Sequence, residues 1–163
     1  MSTKHLEDNF GLSPLQRGIL FNTLYAPESG VDVVQVVCKL HEHIQTDKFE
    51  QAWQSVFQRY SVLRTAFRWE GLPEFQQKVH PSVALPLKHQ DWRTVLPESR
   101  KSHLENFLRE DRRSGFDLSQ PPLARLTLNW LSEDLYYLIF TFHHIILDGR
   151  SLLILFKDAF SIY

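Results

Sequence analysis

The stretch TFHHIILDGRSL, Thr141 to Leu152, sets His143 and His144 side by side, shortly ahead of the pair Asp148-Gly149, inside an otherwise apolar run. Three chemistries suit these residue types. An imidazole can take or deliver a proton near neutral pH. Two imidazoles and a carboxylate can hold a metal ion. All three can also be core polar groups whose hydrogen bonds are satisfied inside the fold, and on the residues alone that bland reading is favoured. The preceding run LYYLIFTF is apolar on both alternating faces, which predicts a central strand covered on both sides. If the pleat continues through the histidines, they point to opposite faces. One then meets an open space while the other packs inside, and that divergence argues against a shared metal. Asp148 is placed either to cap the next helix or to be buried with a cationic partner. Gly149 suggests a positive φ or a close backbone approach.

The elements that must position these residues follow from periodicity. LSPLQRGILFNTLY has Ser13 as N-cap and Pro14 at the first helical position, with Leu15, Ile19, Leu20 and Leu24 at helical spacing. VDVVQVVCKLHEH is β-branched and alternating, a strand. TDKFEQAWQSVFQRYSVL puts Phe49, Ala52, Trp53, Val56, Phe57 and Tyr60 on one stripe, an amphipathic helix capped by Thr46 or Asp47. LRTAFRWEG and PEFQQKVH read as a hairpin around Gly71-Leu72-Pro73, and a short strand falls around Leu85 to His89. SRKSHLENFLREDRRSG is helical, with His103, Leu104, Phe107 and Leu108 on one side and Gly115 as its stop. PLARLTLNWL and LYYLIFTFHH are strands joined at Ser132-Glu133-Asp134. GRSLLILFKDAFSIY is a helix with Leu152, Leu155, Phe156, Ala159, Phe160 and Tyr163 on one side. No later residue covers that last stripe, so part of it is expected to pack against a region beyond the chain. The mixture of helices and strands predicts an α+β, mixed α/β two-layer sandwich, with helices packed on a central, mostly antiparallel sheet.

Composition narrows the function classes. The 163 residues suffice for one domain with a real core. A net charge of −1 offers no basic field for nucleic acid. The run Arg109-Glu110-Asp111-Arg112-Arg113 mixes signs and reads as a solvated helix face. No apolar run reaches membrane-spanning length, and MSTKHLEDNFG lacks a signal-peptide core, so the cytoplasm is the expected compartment. The single cysteine, Cys38, excludes an internal disulfide and a CxxC zinc site. Its alternation with Val34, Val36 and Leu40 makes it a buried small hydrophobe rather than a nucleophile.

HHIILDG fits the pattern HHxxxDG, and three further stretches accompany it in order. They are LSPLQRGILFNTLYAPESG, YSVLRTAFRW (against RHxxLRTxF) and FDLSQPPLARLTL (against FDLxxxPLxR). Together they span nearly the whole chain and resemble the condensation domains of nonribosomal peptide synthetases, within the wider chloramphenicol-acetyltransferase-like superfamily. The first stretch is most similar to condensation domains that join two L-aminoacyl partners. One departure is Arg59-Tyr60 where the family has RH. Tyr60 lies on the apolar stripe of its helix, where an aromatic can replace a histidine by packing.

The resemblance implies that residues 1–163 are the N-terminal lobe of a two-lobed domain whose second lobe is absent from this chain. In the family a carrier-bound aminoacyl amine attacks a carrier-bound aminoacyl or peptidyl thioester to form a peptide bond. His144 then faces the substrate tunnel, as a general base or as a group that aims the amine. Gly149 is expected to let a backbone amide approach the reacting carbonyl and help stabilise the oxyanion. Asp148 is expected to pair with Arg64 and pin the loop, and His143 to be structural. No directly bound cofactor and no metal is expected, the substrates riding on phosphopantetheine of donor and acceptor peptidyl carrier proteins. The other implied partners are the second lobe and an adjacent adenylation domain, with neither nucleic acid nor membrane. The lobe by itself is expected to be inactive, since half of the orienting pocket is missing. The competing readings are a lobe of a coenzyme A-dependent acyltransferase and a non-catalytic carrier-docking scaffold, with metal binding behind both.

Overall fold

A strand that is apolar on both faces needs a layer on each, and the chain supplies them. The computed structural model describes residues 9–27 and 29–163. Residues 1–8, read above as lacking a signal-peptide core, and Glu28 of the first motif stretch lie outside it. In order run β1 (Asn9–Gly11), α1 (Pro14–Tyr25), β2 (Val33–Leu40), α2 (Thr46–Arg59), β3 (Thr65–Arg68), β4 (Gln76–Val79) and β5 (Leu87–Asp91). Then follow α3 (Arg100–Ser114), β6 (Ala124–Ser132), β7 (Leu135–His143) and α4 (Gly149–Ile162). The larger sheet has the order β2-β7-β6-β5 and the smaller one β1-β4-β3.

Strand β7 is central, as its two apolar faces require. It pairs antiparallel with β2 from Val33 opposite His143 to Leu40 opposite Tyr136, and antiparallel with β6, with an irregularity between Trp130 and Ser132. The added strand β5 runs parallel to β6. The class is therefore the expected mixed α/β one, with a mostly antiparallel main sheet. Helices lie on both faces of that sheet. On one face Trp53 of α2 stacks on Phe140 at 5.6 Å, and Phe156 of α4 meets the edges of both rings. On the other, α3 is tied down through hydrogen bonds to Gln35, Arg125 and Thr141.

Helix α1 begins as its sequence dictates. The Ser13 hydroxyl accepts from the Gln16 N–H and the Gln16 side chain accepts from the Ser13 N–H, a complete capping box ahead of Pro14. Of its expected apolar stripe only Ile19 and Leu20 are buried, whereas Leu15 and Leu24 are exposed. The helix touches the small sheet and the loop after β7 through Gln16, which bonds Gln77 and the Ile145 carbonyl. Helix α2 buries Phe49, Ala52, Trp53, Val56 and Phe57 as its periodicity requires, each large side chain contributing about 1.5–3 kcal/mol. Its cap differs from the expectation. Thr46 is already helical and the N-cap is Gln45, with no side-chain cap bond. The Gln45 N–H instead donates to the Tyr163 hydroxyl at 2.9 Å.

The hairpin forms with β3 against β4, Arg68 facing Gln76, and Gly71 at φ +68° makes its turn. The apolar stripe of α4 is covered only in part from within the chain, with Leu155 and Ala159 buried and Phe160 37% exposed. Phe160 and Tyr163 pack on Phe49, and Phe156 packs on Trp53. The large apolar residues that α4 leaves most open are Leu153 and Ile154.

Candidate active site

The end of β7 separates the two histidines as the pleat predicts. His143 is the last strand residue, and its side chain is 2% exposed. Its Nδ1 accepts from the Ile145 N–H at 3.2 Å, so Nε2 must carry the ring proton, which it donates to Thr23 Oγ1 at 3.2 Å. The Phe116 ring stands nearly perpendicular to the imidazole, with centroids 6.4 Å apart. Burial pushes the imidazole pKa down to about 4, against the opposing pull of the Asp32 carboxylate. His143 is thus a neutral, doubly satisfied core group.

His144 begins the turn that follows the strand and is exposed. Its backbone N–H donates to the Asp32 carbonyl at 2.7 Å, which holds the residue against the start of β2. Its ring Nδ1 lies 2.8 Å from the Leu147 carbonyl. A carbonyl only accepts, so in the neutral ring Nδ1 carries the proton and Nε2 the lone pair. Nε2 has no protein partner among the described residues. One residue thus combines an exposed imidazole, a fixed tautomer and an open acceptor.

Asp148 takes the first of its two possible roles. It is the N-cap of α4, its carboxylate accepting from the Ser151 N–H at 2.7 Å. That bond, then the Ser151 hydroxyl, holds the carboxyl below its ordinary value. The expected Arg64–Asp148 ion pair is not formed. Arg64 donates to the His80 carbonyl instead, while its buried Nε has no partner. The physical reason is competition: an exposed carboxylate at a helix start finds a backbone donor three residues on, without desolvating a guanidinium. Of the two features suggested for Gly149, the first is absent. Its φ is not positive, and a Cβ there would meet open space.

Gln16 links the first motif stretch to this loop, its side-chain amide donating to the Ile145 carbonyl at 3.5 Å and to Gln77 at 3.2 Å. The departure at Tyr60 is also resolved. Its hydroxyl donates to Asp158 of α4 at 2.5 Å and Arg59 donates to the same oxygen at 2.9 Å, so the second stretch grips the helix that follows the motif. Packing alone does not describe this tyrosine.

The sequence reading missed Asp111. Far from a solvated face, it accepts from Arg125 Nε at 2.7 Å, Gln35 Nε2 at 2.7 Å and Thr141 Oγ1 at 2.6 Å. Burial pushes its carboxyl up, but these donors together outweigh burial and hold it below its ordinary value. Arg125, the arginine of the FDLxxxPLxR stretch, also donates to the Gly115 carbonyl and lies over the Phe116 ring. An arginine on a buried strand needing a carboxylate, with a charge run nearby, was the available signal.

Cys38 is half-buried and burial pushes its thiol up, the reverse of what a nucleophile needs. No group of three His, Cys, Asp or Glu side chains among the described residues could hold a metal ion. No helix among them is long and apolar enough to cross a membrane.

An α/β lobe that offers one imidazole from the end of its central strand, braced by the HHxxxDG turn, is the condensation-domain type of lobe. A family model described as the condensation domain matches residues 6–163, and the chain belongs to that family. Among curated relatives, one of the linear gramicidin synthase proteins of Brevibacillus parabrevis is 41% identical over 160 residues, 98% of this chain and 2% of the relative. Bacitracin synthase 1 of Bacillus licheniformis is 32% identical over 162 residues, 99% of this chain and 3% of the relative. The chain therefore spans only a few hundredths of the length of these synthases. Among solved structures, the starter condensation domain of rhizomide synthetase RzmA superposes with a TM-score of 0.84 at 20% identity, covering 95% of this chain and 38% of that one. A four-domain nonribosomal peptide synthetase, holo-AB3403, gives 0.82 at 21% identity, covering 95% and 12%. At such identity these two matches establish the fold.

Proposed function

We propose that residues 1–163 act as the N-terminal lobe of a peptide-synthetase condensation domain, in which His144 serves peptide-bond formation between two carrier-bound substrates. The observation that carries this reading is the 2.8 Å contact between His144 Nδ1 and the Leu147 carbonyl. With Nδ1–H engaged by the Leu147 carbonyl, the exposed Nε2 offers a lone pair to an incoming ammonium or amine. The amine attacks the thioester carbonyl, its proton passes to Nε2 or is aimed by it, and the carrier thiolate leaves. No covalent acyl-enzyme is required, in keeping with the raised Cys38 thiol. Gly149 opens α4, where first-turn N–H groups lack intrahelical acceptors, and its amide is the donor proposed for the oxyanion.

Asp148 supports the site as the cap of α4, and His143 as a dry internal brace. Arg64 serves it through the backbone that joins β3 to the loop after β4, by its bond to the His80 carbonyl. The proposed partners are donor and acceptor carrier proteins presenting phosphopantetheine thioesters, a second lobe that completes the tunnel and an adenylation domain, all in the cytoplasm. Kinship with gramicidin and bacitracin synthases supports this context.

The test is His144→Ala in the whole synthetase, supplied with loaded donor and acceptor carriers. Amide formation is expected to fall about 10²–10⁴-fold, with carrier binding and the melting transition unchanged. Wild-type rates from the variant would leave the lobe a scaffold. Product formation from an acyl-coenzyme A donor in place of the loaded donor carrier would make it a different acyltransferase.

A further inference from the structure

With Arg64 and Asp148 apart, something else must hold the backbone that carries His144, and three residues from separate segments do so. The His144 N–H donates to the Asp32 carbonyl at 2.7 Å, and the next amide, Ile145 N–H, donates to His143 Nδ1 at 3.2 Å. The two residues that supply these acceptors also meet at the Thr23 hydroxyl of α1, through other atoms. His143 Nε2 donates to Thr23 Oγ1 at 3.2 Å, and Thr23 Oγ1 lies 2.9 Å from Asp32 Oδ2. The hydroxyl proton has a second acceptor in reach, the Ile19 carbonyl at 3.0 Å. A carboxylate oxygen is the stronger acceptor of the two, since the carbonyl already serves the helix. The chain of donors therefore runs His143 Nε2–H to Thr23 to Asp32, with one orientation for every proton.

We propose that Thr23 and Asp32 are positioning residues for His144, clamping the backbone on both sides of the imidazole through His143 and the Asp32 carbonyl. The cavity beside them, bounded by Thr23, Asp32, Phe116 and His143, is about 30 Å³, the space of a single water. It has no room for a substrate, so the cluster acts on the reaction only through the residue it holds. Removing the Thr23 hydroxyl leaves the His143 Nε2–H without an acceptor and frees the Asp32 side chain, and the turn loses its two fixed points together. Small displacements of a reacting group are costly in rate while substrate binding is unaffected.

The inference rests on His144 being the working imidazole, and its test separates the two claims. In the whole synthetase, Thr23→Val is expected to lower turnover about 10-fold with KM for both carriers unchanged. Amide exchange in the peptide covering residues 143–149 should quicken about fivefold without substrate, exchange across β6 and the body of β7 staying as in the wild type. Thr23→Ser should restore both readouts. Asp32→Ala, at a half-exposed position whose loss the fold tolerates, should reproduce the Thr23→Val pattern. Wild-type turnover and protection in both variants would overturn the assignment. So would exchange that quickens throughout the sheet, or a serine variant that restores neither. If the wild type makes no amide bond at all, the reading of function fails, and local exchange at 143–149 still decides whether Thr23 and Asp32 hold the turn.

Discussion

At Thr141 the central strand gives its hydroxyl to Asp111, a carboxylate already held by Arg125 and Gln35. Three residues later, just past the end of the same strand, comes His144, with one ring nitrogen engaged and the other without a partner among the described residues. Both clusters place polar groups around one apolar strand, but they are finished differently. Around Asp111 the donors close on the acceptors and little water reaches them. At His144 a carbonyl acceptor fixes the tautomer, and no donor among the described residues reaches the last lone pair. A closed polar cluster contributes to the fold, while one left open at a single atom is available to a substrate.

The widest separation between the two regions should appear in stability. Arg125→Met leaves Asp111 largely buried without its cation, and unfolding free energy by denaturant titration should fall by about 3–5 kcal/mol. His144→Ala should stay within about 0.5 kcal/mol of the wild type, as exposed substitutions do. Replacing both charges, Arg125→Met with Asp111→Leu, should recover most of the loss, because neither charge is then stranded. Comparable destabilisation by Arg125→Met and His144→Ala would end the distinction between a closed and an open cluster.

Acid should act through His143. Its folded value of about 4 lies below the ordinary 6.5. Above pH 6.5 neither the folded nor the unfolded chain protonates it, and its neutral form is fully accommodated. As pH falls through 6.5 the unfolded chain takes up a proton that the folded one refuses, so stability declines until about pH 4. The full decline amounts to about 3 kcal/mol. Unfolding curves at half-unit pH steps should show this slope in the wild type and lose it in His143→Gln. A slope that survives the substitution would assign acid sensitivity to another group.

Much of this arrangement is legible in the chain, for local reasons. Ser13-Pro14 states a helix start in two residues. The stripe Phe49 to Phe57 states which side of α2 is buried, and the doubly apolar Leu135–Phe142 run states that β7 is central. The pleat then separates His143 from His144 without further help. What stayed hidden is non-local. Asp111 sits in a mixed charge run whose neighbours are solvated, and only three donors from β2, β6 and β7 reveal that it is not. The Thr23–Asp32–His143 clamp joins residues whose neighbours in sequence give no sign of it. Strand β1 has three residues, too few for a period. The Arg64–Asp148 pair came from resemblance, while the residues alone had already offered Asp148 as a cap.

A smaller effect separates the two ends of α4. Its far end is held at Asp158 by Tyr60 and Arg59, so Tyr60→Phe removes a donor without changing the ring. The melting temperature should drop by about 2–4 °C for a domain of this size. If Tyr60 acts by packing alone, Tyr60→Phe will melt with the wild type.

The near end of α4 gives the finest discrimination, between a cap and an ion pair at Asp148. A cap needs an acceptor oxygen and no charge, so Asp148→Asn should melt within about a degree of the wild type, while Asp148→Ala should melt a few degrees lower. An ion pair would need the charge, and the asparagine variant would then fall with the alanine one. Arg64 supplies the independent arm. If it serves the His80 carbonyl and not Asp148, the shifts from Arg64→Leu and Asp148→Ala should add in the double variant, as they do for residues without shared partners. A double variant no less stable than Arg64→Leu alone would mean that the two side chains meet after all, and that the turn carrying His144 is pinned from α4's N-cap as well as from Thr23 and Asp32.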